Sequence, residues 1–272
     1  MTEVPLHFVV PGSIEQRTGG YLYDARMVAE MRTAGRSVHV HELEGAFPDP
    51  DDLATVSLAR ALEAIPDSAP VVVDGLAGGG LPEILARHAA RLRLVGLVHH
   101  PLAQETGLSK ARAARFARTE RAALAFCRGV VVTSPFTRSR LEAYGVSTRR
   151  VRVAVPGTEP AEAASGPGPG KPPVILCVGS LTPRKGHTVL LEALHQLRDL
   201  MWTCKLAGSE TLAPEHARLV ENRVQDLRLG DRVTFLGELD SEALEEAYRT
   251  SSLFVLASHY EGYGMALTEA IA

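Results

Sequence analysis

The sequence lacks the marks of a secreted, membrane-spanning or nucleic-acid-binding protein. Its three cysteines, Cys127, Cys177 and Cys204, have neither the CxxC nor the Cys/His spacing of a metal or redox site. A formal charge of −3 and an aromatic content of 5% provide no bulk charge for nucleic acid and few rings for base stacking. No apolar run reaches the ~20 residues that cross a bilayer, and the N-terminus lacks the basic start of a signal peptide. We therefore expect a cytoplasmic protein with no nucleic-acid partner.

The chain of 272 residues, 45% of them hydrophobic, is long enough for two α/β domains with real cores. Apolar strand-type runs alternate with helical stretches, beginning with residues 6–10, 19–34 and 37–41. That order predicts βαβ units, which form parallel sheets with ligand sites at the carboxyl ends of the strands. Residues 160–173, rich in Ala, Gly and Pro, are typical of a linker. The predicted fold class is α/β, with Rossmann-like parallel-sheet domains at residues 1–159 and 174–272.

A glycine-rich loop near the C-terminus predicts a site for phosphate or sugar oxygens. It follows the strand-type run 253–257, and a helix begins near Gly264. Gly262 and Gly264 let the backbone approach a ligand closely, and a helix start offers unpaired N–H groups. Glu261 in the loop and Glu269 in the helix can each accept two hydroxyl groups of a ribose or sugar. A plain strand-to-helix turn with solvated glutamates is the alternative.

Two cationic residues, Arg184 and Lys185, open the first helix of the second domain. They follow the strand-type run 174–178 and its turn, which places them at the carboxyl edge of the predicted sheet. A diphosphate leaving group needs its developing charge neutralised, and cations at this edge suit that chemistry. An exposed Arg-Lys turn is the alternative.

Two histidines, His99 and His100, end the strand-type run 94–98, and Pro101 then stops strand pairing. This position places an imidazole at the edge of a site rather than in the core. We predict a role for the pair without separating its members; a structural or exposed histidine is the alternative.

Further candidates lie at the carboxyl edge of the first predicted sheet. Asp74 ends the strand-type run 71–73, where it either contacts an acceptor or only caps a loop. Gly19 and Gly20 open the first helix, where they either hold a phosphate or acceptor or only give the helix entry a flexible backbone. The G-x-G-x-x-G fingerprint of dinucleotide sites is not present after the first strand.

The segment from Glu261 to Glu269, with Gly-Tyr-Gly-Met inside it, resembles the nucleotide-sugar motif of the retaining glycosyltransferases of family 4, which have the two-domain GT-B fold. The resemblance runs along the whole chain. It implies transfer of a sugar from a nucleotide-diphosphate donor to a hydroxyl of a small-molecule, lipid or glycan acceptor, without metal or cofactor. Because no nucleophile is evident beside the paired carboxylates, it also implies that departure and attack occur on one face of the sugar.

Within this resemblance, Lys185 matches the lysine that binds the donor phosphates, whereas Ser180 stands where many members have arginine. Whether Arg184 takes over that role stays open. The catalytic residues that we predict are His99, His100, Arg184, Lys185 and Glu261. The donor-binding residues are Gly179, Ser180, Gly208, Leu239, Gly262, Tyr263, Gly264, Met265 and Glu269. The acceptor or phosphate loop is formed by Gly19, Gly20 and Asp74.

Family members continue past the position of Glu269. We therefore expect a C-terminally truncated chain, a split gene or a fragment, with the second domain incomplete. One alternative function is a nucleotide-sugar-binding remnant or half-enzyme that turns over only with a partner chain. Another is a different enzyme on the same two-domain plan, such as a nucleotide-sugar epimerase or a phosphorylase.

Two charged segments of the first domain have more than one interpretation. Residues 49–52, Asp-Pro-Asp-Asp, suit the cap and first turn of a helix, with a D-x-D metal site as the alternative. The predicted helix 105–127 carries basic residues that wrap about half its surface. A solvated face is the default. The alternative is that Arg112 and Arg115 contact anionic lipid at the inner face of a membrane, or a phosphorylated acceptor.

Overall fold

The structure is a computed structural model that describes residues 4–272. The chain divides into two compact units, Met1–Pro156 and Gly157–Ala272, and each has its own parallel sheet. The segment 160–173 belongs to the second unit. Among the described residues, no helix combines the length and apolarity needed to cross a membrane. The predicted α/β fold with two Rossmann-like sheets is confirmed.

The first unit is built on a parallel sheet whose central strands are largely buried on both faces. Within residues 4–156, its strands are β1 (Leu6–Pro11), β2 (Val38–Leu43), β3 (Pro70–Asp74), β4 (Arg93–Val98), β5 (Gly129–Val132) and β6 (Val151–Val153). Their order in the sheet is β2-β1-β3-β4-β5-β6, so the order reverses between β1 and β3. Such a reversal leaves a crevice outside the carboxyl ends of the strands, where ligands bind in open α/β sheets.

Helices connect the strands of the first unit. The helices are α1 (Gly19–Thr33), α2 (Asp52–Glu63), α3 (Gly75–Gly78), α4 (Pro82–His88), α5 (Lys110–Phe126) and α6 (Pro135–Leu141). The prediction of one helix from residue 105 was wrong: α5 begins at Lys110 because the Ser109 side chain accepts from the N–H of Arg112 and caps it. The Asp74 side chain caps the short helix α3, which directly follows β3.

The core of the first unit packs its sheet against α2 and α4. Val9 and Leu94 of the sheet pack in one cluster with Leu58 and Leu62 of α2 and Leu85 of α4, and each of these residues is at most 2% exposed. Full burial of one such side chain stabilises the fold by about 1.5–3 kcal/mol.

The second unit repeats the plan on a smaller sheet. Its strands are β7 (Val174–Val178), β8 (Thr203–Ala207), β9 (Val233–Gly237) and β10 (Leu253–Phe254), in the order β10-β7-β8-β9. Its helices are α7 (His187–Gln196), α8 (Pro214–Asp226), α9 (Ser241–Arg249) and α10 (Met265–Ile271). Since β8 and β10 flank β7, the strand order reverses at β7, and the loops after β7 and β10 become neighbours.

Strand β10 is shorter than the predicted run 253–257. Val255 still donates to the carbonyl of Leu176, but the chain then turns toward the loop after β7, where the N–H of His259 donates to the carbonyl of Arg184 at 2.8 Å. The residues after Phe254 therefore join two loops instead of extending the sheet.

Candidate functional site

The loops after β7 and β10 touch through their backbones. Gly186 ends the first loop with φ +65°, and a Cβ added there would lie 2.0 Å from the carbonyl oxygen of Ala257. Only glycine fits that approach without strain. The contact brings Arg184 and Lys185 of one loop against Glu261 of the other.

Glu261 is held by three side chains. Its Oε1 lies 2.7 Å from Nζ of Lys185 and accepts from the hydroxyl of Ser258 at 2.6 Å. Its Oε2 lies 3.4 Å from a guanidinium nitrogen of Arg184, which also donates to the carbonyl of Tyr260 at 2.9 Å. Burial alone would raise the pKa of Glu261, but the charge and hydrogen bond of Lys185 outweigh burial and lower it. Glu261 is therefore an ionised, engaged carboxylate at neutral pH.

Glu269 belongs to a second group, with Tyr248. The Tyr248 hydroxyl lies 3.1 Å from Oε2 of Glu269 and 3.2 Å from the carbonyl oxygen of Ala266, so it ties α9 to α10. Burial and the charge of Glu269 raise the pKa of Tyr248, so the hydroxyl keeps its proton and donates. Sequence reasoning missed Tyr248, because a tyrosine on a helix matches no motif.

The loop between Glu261 and α10 contains the other predicted donor residues of this region. Gly264 takes φ +91°, a conformation that favours glycine, and immediately precedes α10, which starts at Met265. Gly262 and Tyr263 lie between Glu261 and Gly264 and are half-buried.

Gly179, Ser180 and Gly208 meet where β7 and β8 end. Gly208 has φ +147°, and a Cβ added there would lie 2.3 Å from the carbonyl oxygen of Gly179 and 2.7 Å from the N–H nitrogen of Ser180. The stem of Lys185 lies against Gly179. Leu239, by contrast, packs with the apolar cluster around Leu176. The structure thus brings Gly179, Ser180, Gly208, Lys185 and Glu261 to one edge, whereas Leu239 is half-buried against the cluster around Leu176.

In the first unit, two carboxylates converge on one nitrogen of His99. Nε2 lies 3.0 Å from Oδ1 of Asp24 on α1 and 3.4 Å from Oδ2 of Asp74 at the end of β3. The aspartate side chains are 2% and 3% exposed, and the imidazole is 20% exposed. Sequence reasoning missed Asp24, which lies one turn after Gly20 in α1. A Cβ added at Gly20 would contact the His99 ring at 3.4 Å.

The carboxylates decide the charge of this histidine. Burial alone would lower the pKa of His99, but the hydrogen bonds to Asp24 and Asp74 and their negative charges raise it to about 10. Burial raises the pKa of Asp24 to about 6, although the hydrogen bond with His99 acts in the opposite direction. At neutral pH we therefore assign a protonated His99 beside an ionised Asp24.

The remaining predicted residues of the first unit have separate positions. Nε2 of His100 lies 3.1 Å from Oε2 of Glu105, so His100 does not share the carboxylates of His99. Asp74 also accepts from the N–H of Leu76 at 2.7 Å, which caps α3. Gly19 is the first residue of α1.

A buried acid that sequence reasoning missed holds the turn after these histidines. Glu120 of α5 is 1% exposed, and its Oε2 accepts from the N–H of Leu102 at 3.0 Å. Burial raises the pKa of Glu120 to about 8, against the hydrogen bonds from Leu102 and Tyr144, which lower it.

Two aspartates of the charged segment at residues 49–52 make different contacts. The Asp51 side chain caps α2 by accepting from the N–H of Ala54 at 2.7 Å. Asp49 forms ion pairs with Arg112 and Arg115 of α5, and both guanidinium groups also lie over the ring of Phe116.

Asp24, Asp74 and His99 are the one group of potential ligands in residues 4–272 whose atoms lie within 4.8 Å of one another. The D-x-D segment is not part of it. Hydrogen bonds between the imidazole N–H and the carboxylates account for the short distances. We assign no metal to the group.

Comparison with known proteins places both units in one class. The family model described as Glycosyltransferase Family 4 matches residues 24–162, and the model described as Glycosyl transferases group 1 matches residues 159–272. Mannosylfructose-phosphate synthase of Agrobacterium fabrum is 33% identical over 105 residues, which is 36% of this chain and 23% of that protein. D-inositol 3-phosphate glycosyltransferase of Acidothermus cellulolyticus is 28% identical over 163 residues, which is 52% of this chain and 36% of that protein. The chain thus matches about a quarter to a third of the length of these relatives.

Solved structures share the fold. Sucrose-phosphate synthase from Thermosynechococcus elongatus superposes with a TM-score of 0.78 at 20% identity, over 99% of this chain and 79% of that one. HepE from Anabaena, solved in complex with UDP-glucose, has a TM-score of 0.66 at 16% identity, over 99% and 78% of the two chains. At such identities the likeness shows the fold alone.

Proposed function

Because the chain belongs to glycosyltransferase family 4, we propose that it transfers a sugar from a nucleotide-diphosphate donor to an acceptor hydroxyl, with retention at the anomeric carbon. The observation that carries the proposal is the group of Lys185, Arg184 and Glu261 at the reversal of strand order in the second sheet. Two cations at this edge suit a diphosphate, and a carboxylate beside them suits sugar hydroxyls. The complex of HepE with UDP-glucose supports the same class of donor.

In the proposed reaction, the bond between the anomeric carbon and the diphosphate oxygen breaks, and its electron pair goes to that oxygen. Lys185 and Arg184 stabilise the charge that develops there. The acceptor oxygen attacks the same face of the sugar, and its proton passes to the departing diphosphate oxygen. Glu261 is engaged by three side chains, which favours binding of sugar hydroxyls over nucleophilic attack. Glu269, fixed by Tyr248, binds the donor ribose.

A panel of nucleotide sugars tests the proposal. At about a hundred times its dissociation constant, a true donor stabilises the protein by about 2.7 kcal/mol and raises Tm by ~5–10 °C. Product analysis with that donor then distinguishes transfer from binding without turnover, and from epimerase or phosphorylase chemistry. If no nucleotide sugar raised Tm while the protein was folded, the proposal would be wrong.

We propose as a secondary point that the protein works in the cytoplasm and that α5 contacts an anionic membrane surface, where a lipid acceptor would lie. The pairing of Arg112 and Arg115 with Asp49 leaves less free positive charge on this helix than its sequence suggests. Reversing both charges to glutamate and measuring binding to anionic liposomes tests the contact. Unchanged binding would rule it out.

A further inference from the structure

Two buried carboxylates lie within hydrogen-bonding reach of one nitrogen of His99. Asp24 and Asp74 lie on different elements, yet both direct an oxygen to Nε2, at 3.0 Å and 3.4 Å. Because they are 2% and 3% exposed, neither offers a substrate much surface. These carboxylates therefore interact with His99 and not with a substrate.

One carboxylate would suffice to fix the tautomer of a histidine. A second one within reach of the same nitrogen adds buried negative charge, which is unfavourable unless the ring is positive. Asp74 has another task as well, because it caps α3 through Leu76. For Asp24, His99 is the hydrogen-bond partner that we find among residues 4–272.

Because Nε2 of His99 is hydrogen-bonded to the carboxylates, Nδ1 is the ring nitrogen that can bind a ligand. We find no hydrogen-bond partner for Nδ1 in residues 4–272, and the side chain keeps 20% exposure. The residue is held firmly, since the hydroxyls of Thr133 and Thr137 each lie 3.3 Å from its carbonyl oxygen. The ring of Tyr23 packs edge-to-face against the imidazole, with 5.4 Å between the ring centroids.

We propose that Asp24 is a positioning residue: with Asp74 it holds Nε2 of His99 and keeps the ring charged, so that Nδ1–H donates to an oxygen of the acceptor. This inference rests on the proposed function. It makes His99 a donor that stabilises negative charge and excludes it as the base for the acceptor hydroxyl. The acceptor proton then leaves with the diphosphate, as in the reaction above.

The groups that face His99 allow a clean titration. Asp24 comes from α1 and Asp74 from the end of β3, with Tyr21 and Tyr23 of α1 beside them. Burial and the charge of Asp74 raise the pKa of Tyr21 to about 12, and burial and the charge of Asp24 raise the pKa of Tyr23 to about 12. Both tyrosines therefore stay protonated over the pH range in which the lowered His99 titration of Asp24→Asn is followed.

Nitrogen-15 NMR of histidine-labelled protein tests the inference, with the His99 signals assigned through His99→Gln. Asp24→Asn keeps an oxygen that accepts from Nε2 but removes the charge, and it should lower the midpoint of the His99 titration by about 1–3 pH units. Glu30→Gln removes the same charge from an exposed position of α1. This control should shift the midpoint of the His99 titration by less than about 0.3 pH units. In the wild type, both ring nitrogens should stay protonated through pH 8.

A pH profile of transfer provides the second readout. The activity of Asp24→Asn should fall as pH rises through the lowered midpoint and return on acidification, whereas a packing defect would lower activity at every pH. An unchanged His99 titration in Asp24→Asn, or an unprotonated Nε2 in the wild type, overturns the inference. The spectra need no donor, so they decide the role of Asp24 even if the chain transfers no sugar. If Asp24→Asn does not fold, the wild-type spectrum still decides the protonation of both nitrogens.

Discussion

Lys185 and Glu261 form a 2.7 Å ion pair between the loops after β7 and β10, although 76 positions separate them in the chain. Both side chains are mostly buried, at 15% and 21% exposure. A diphosphate that binds Lys185 must compete with Glu261 for the ammonium group. Donor binding should therefore release part of this carboxylate for the hydroxyls of the sugar.

The first prediction concerns Lys185→Ala. Removal of one group that stabilises the transition-state charge should lower kcat by ~10²-fold or more, or about 2.7–4 kcal/mol. Loss of the ion pair should cost about 1–2 kcal/mol of folding free energy. Steady-state kinetics and urea unfolding measure the two effects. Lys171→Ala, at an exposed position before β7, is the control and should change neither. Transfer at the wild-type rate would refute the role of Lys185.

The second prediction concerns Tyr248→Phe, which removes the hydroxyl that holds Glu269 and Ala266. Without it, α10 is less firmly attached to α9, and the fold should lose about 1 kcal/mol. If Glu269 binds the donor ribose, KM for the donor should rise more than kcat falls. If the variant and the wild type had equal KM values for the donor, Glu269 would not be a donor-binding residue.

The third prediction concerns the approach of β7 to β8. Gly208→Ala places a Cβ within 2.3 Å of the carbonyl oxygen of Gly179, at a φ of +147°. Strain and overpacking together should destabilise the protein by about 2–5 kcal/mol. Gly157→Ala is the matched control, because nothing lies within 4 Å of a Cβ added there. Chemical unfolding of both variants measures the difference, and equal stabilities would contradict the packing described for Gly208.

The fourth prediction is a pH dependence of stability that arises from Glu120. Its pKa is about 8 in the folded protein, above the ordinary value of 4.5 that applies when the chain unfolds. Below pH 4.5 the carboxyl is protonated in both states; as pH rises, the unfolded state ionises first, and the free energy of unfolding falls until about pH 8. Glu120→Gln still accepts from the N–H of Leu102 and should remove this part of the slope. Urea unfolding of both proteins at pH 6 and pH 8.5 checks it, and parallel slopes would contradict the prediction.

Much of the fold could be predicted from the sequence because buried parallel strands are short, continuous apolar runs. The runs that contain Val71, Leu94 and Val174 each form a strand of one of the two predicted sheets. Residues that directly follow such strands, among them His99 and Gly179, lie at the carboxyl edge, as the βαβ order requires. Their roles in binding or catalysis stay predictions.

What could not be predicted depends on contacts between distant elements. Asp24 and Glu120 lie within helices, where an acidic residue normally faces solvent, and only the packing of those helices buries them. The pairing of Asp49 with Arg115 joins a loop to a helix, and no local spacing indicates it. The end of β10 at Phe254 likewise depends on the loop after β7, which diverts the chain.

Every strand pair in the two sheets is parallel. No hairpin can therefore begin either sheet, because each strand pair requires closure of a long loop before its first hydrogen bond forms. His7 pairs with Val71, and Ile175 pairs with Leu253. Such topologies fold slowly and leave apolar strands uncovered meanwhile. Chains whose crossovers have not yet closed are therefore the species of this protein most prone to aggregate.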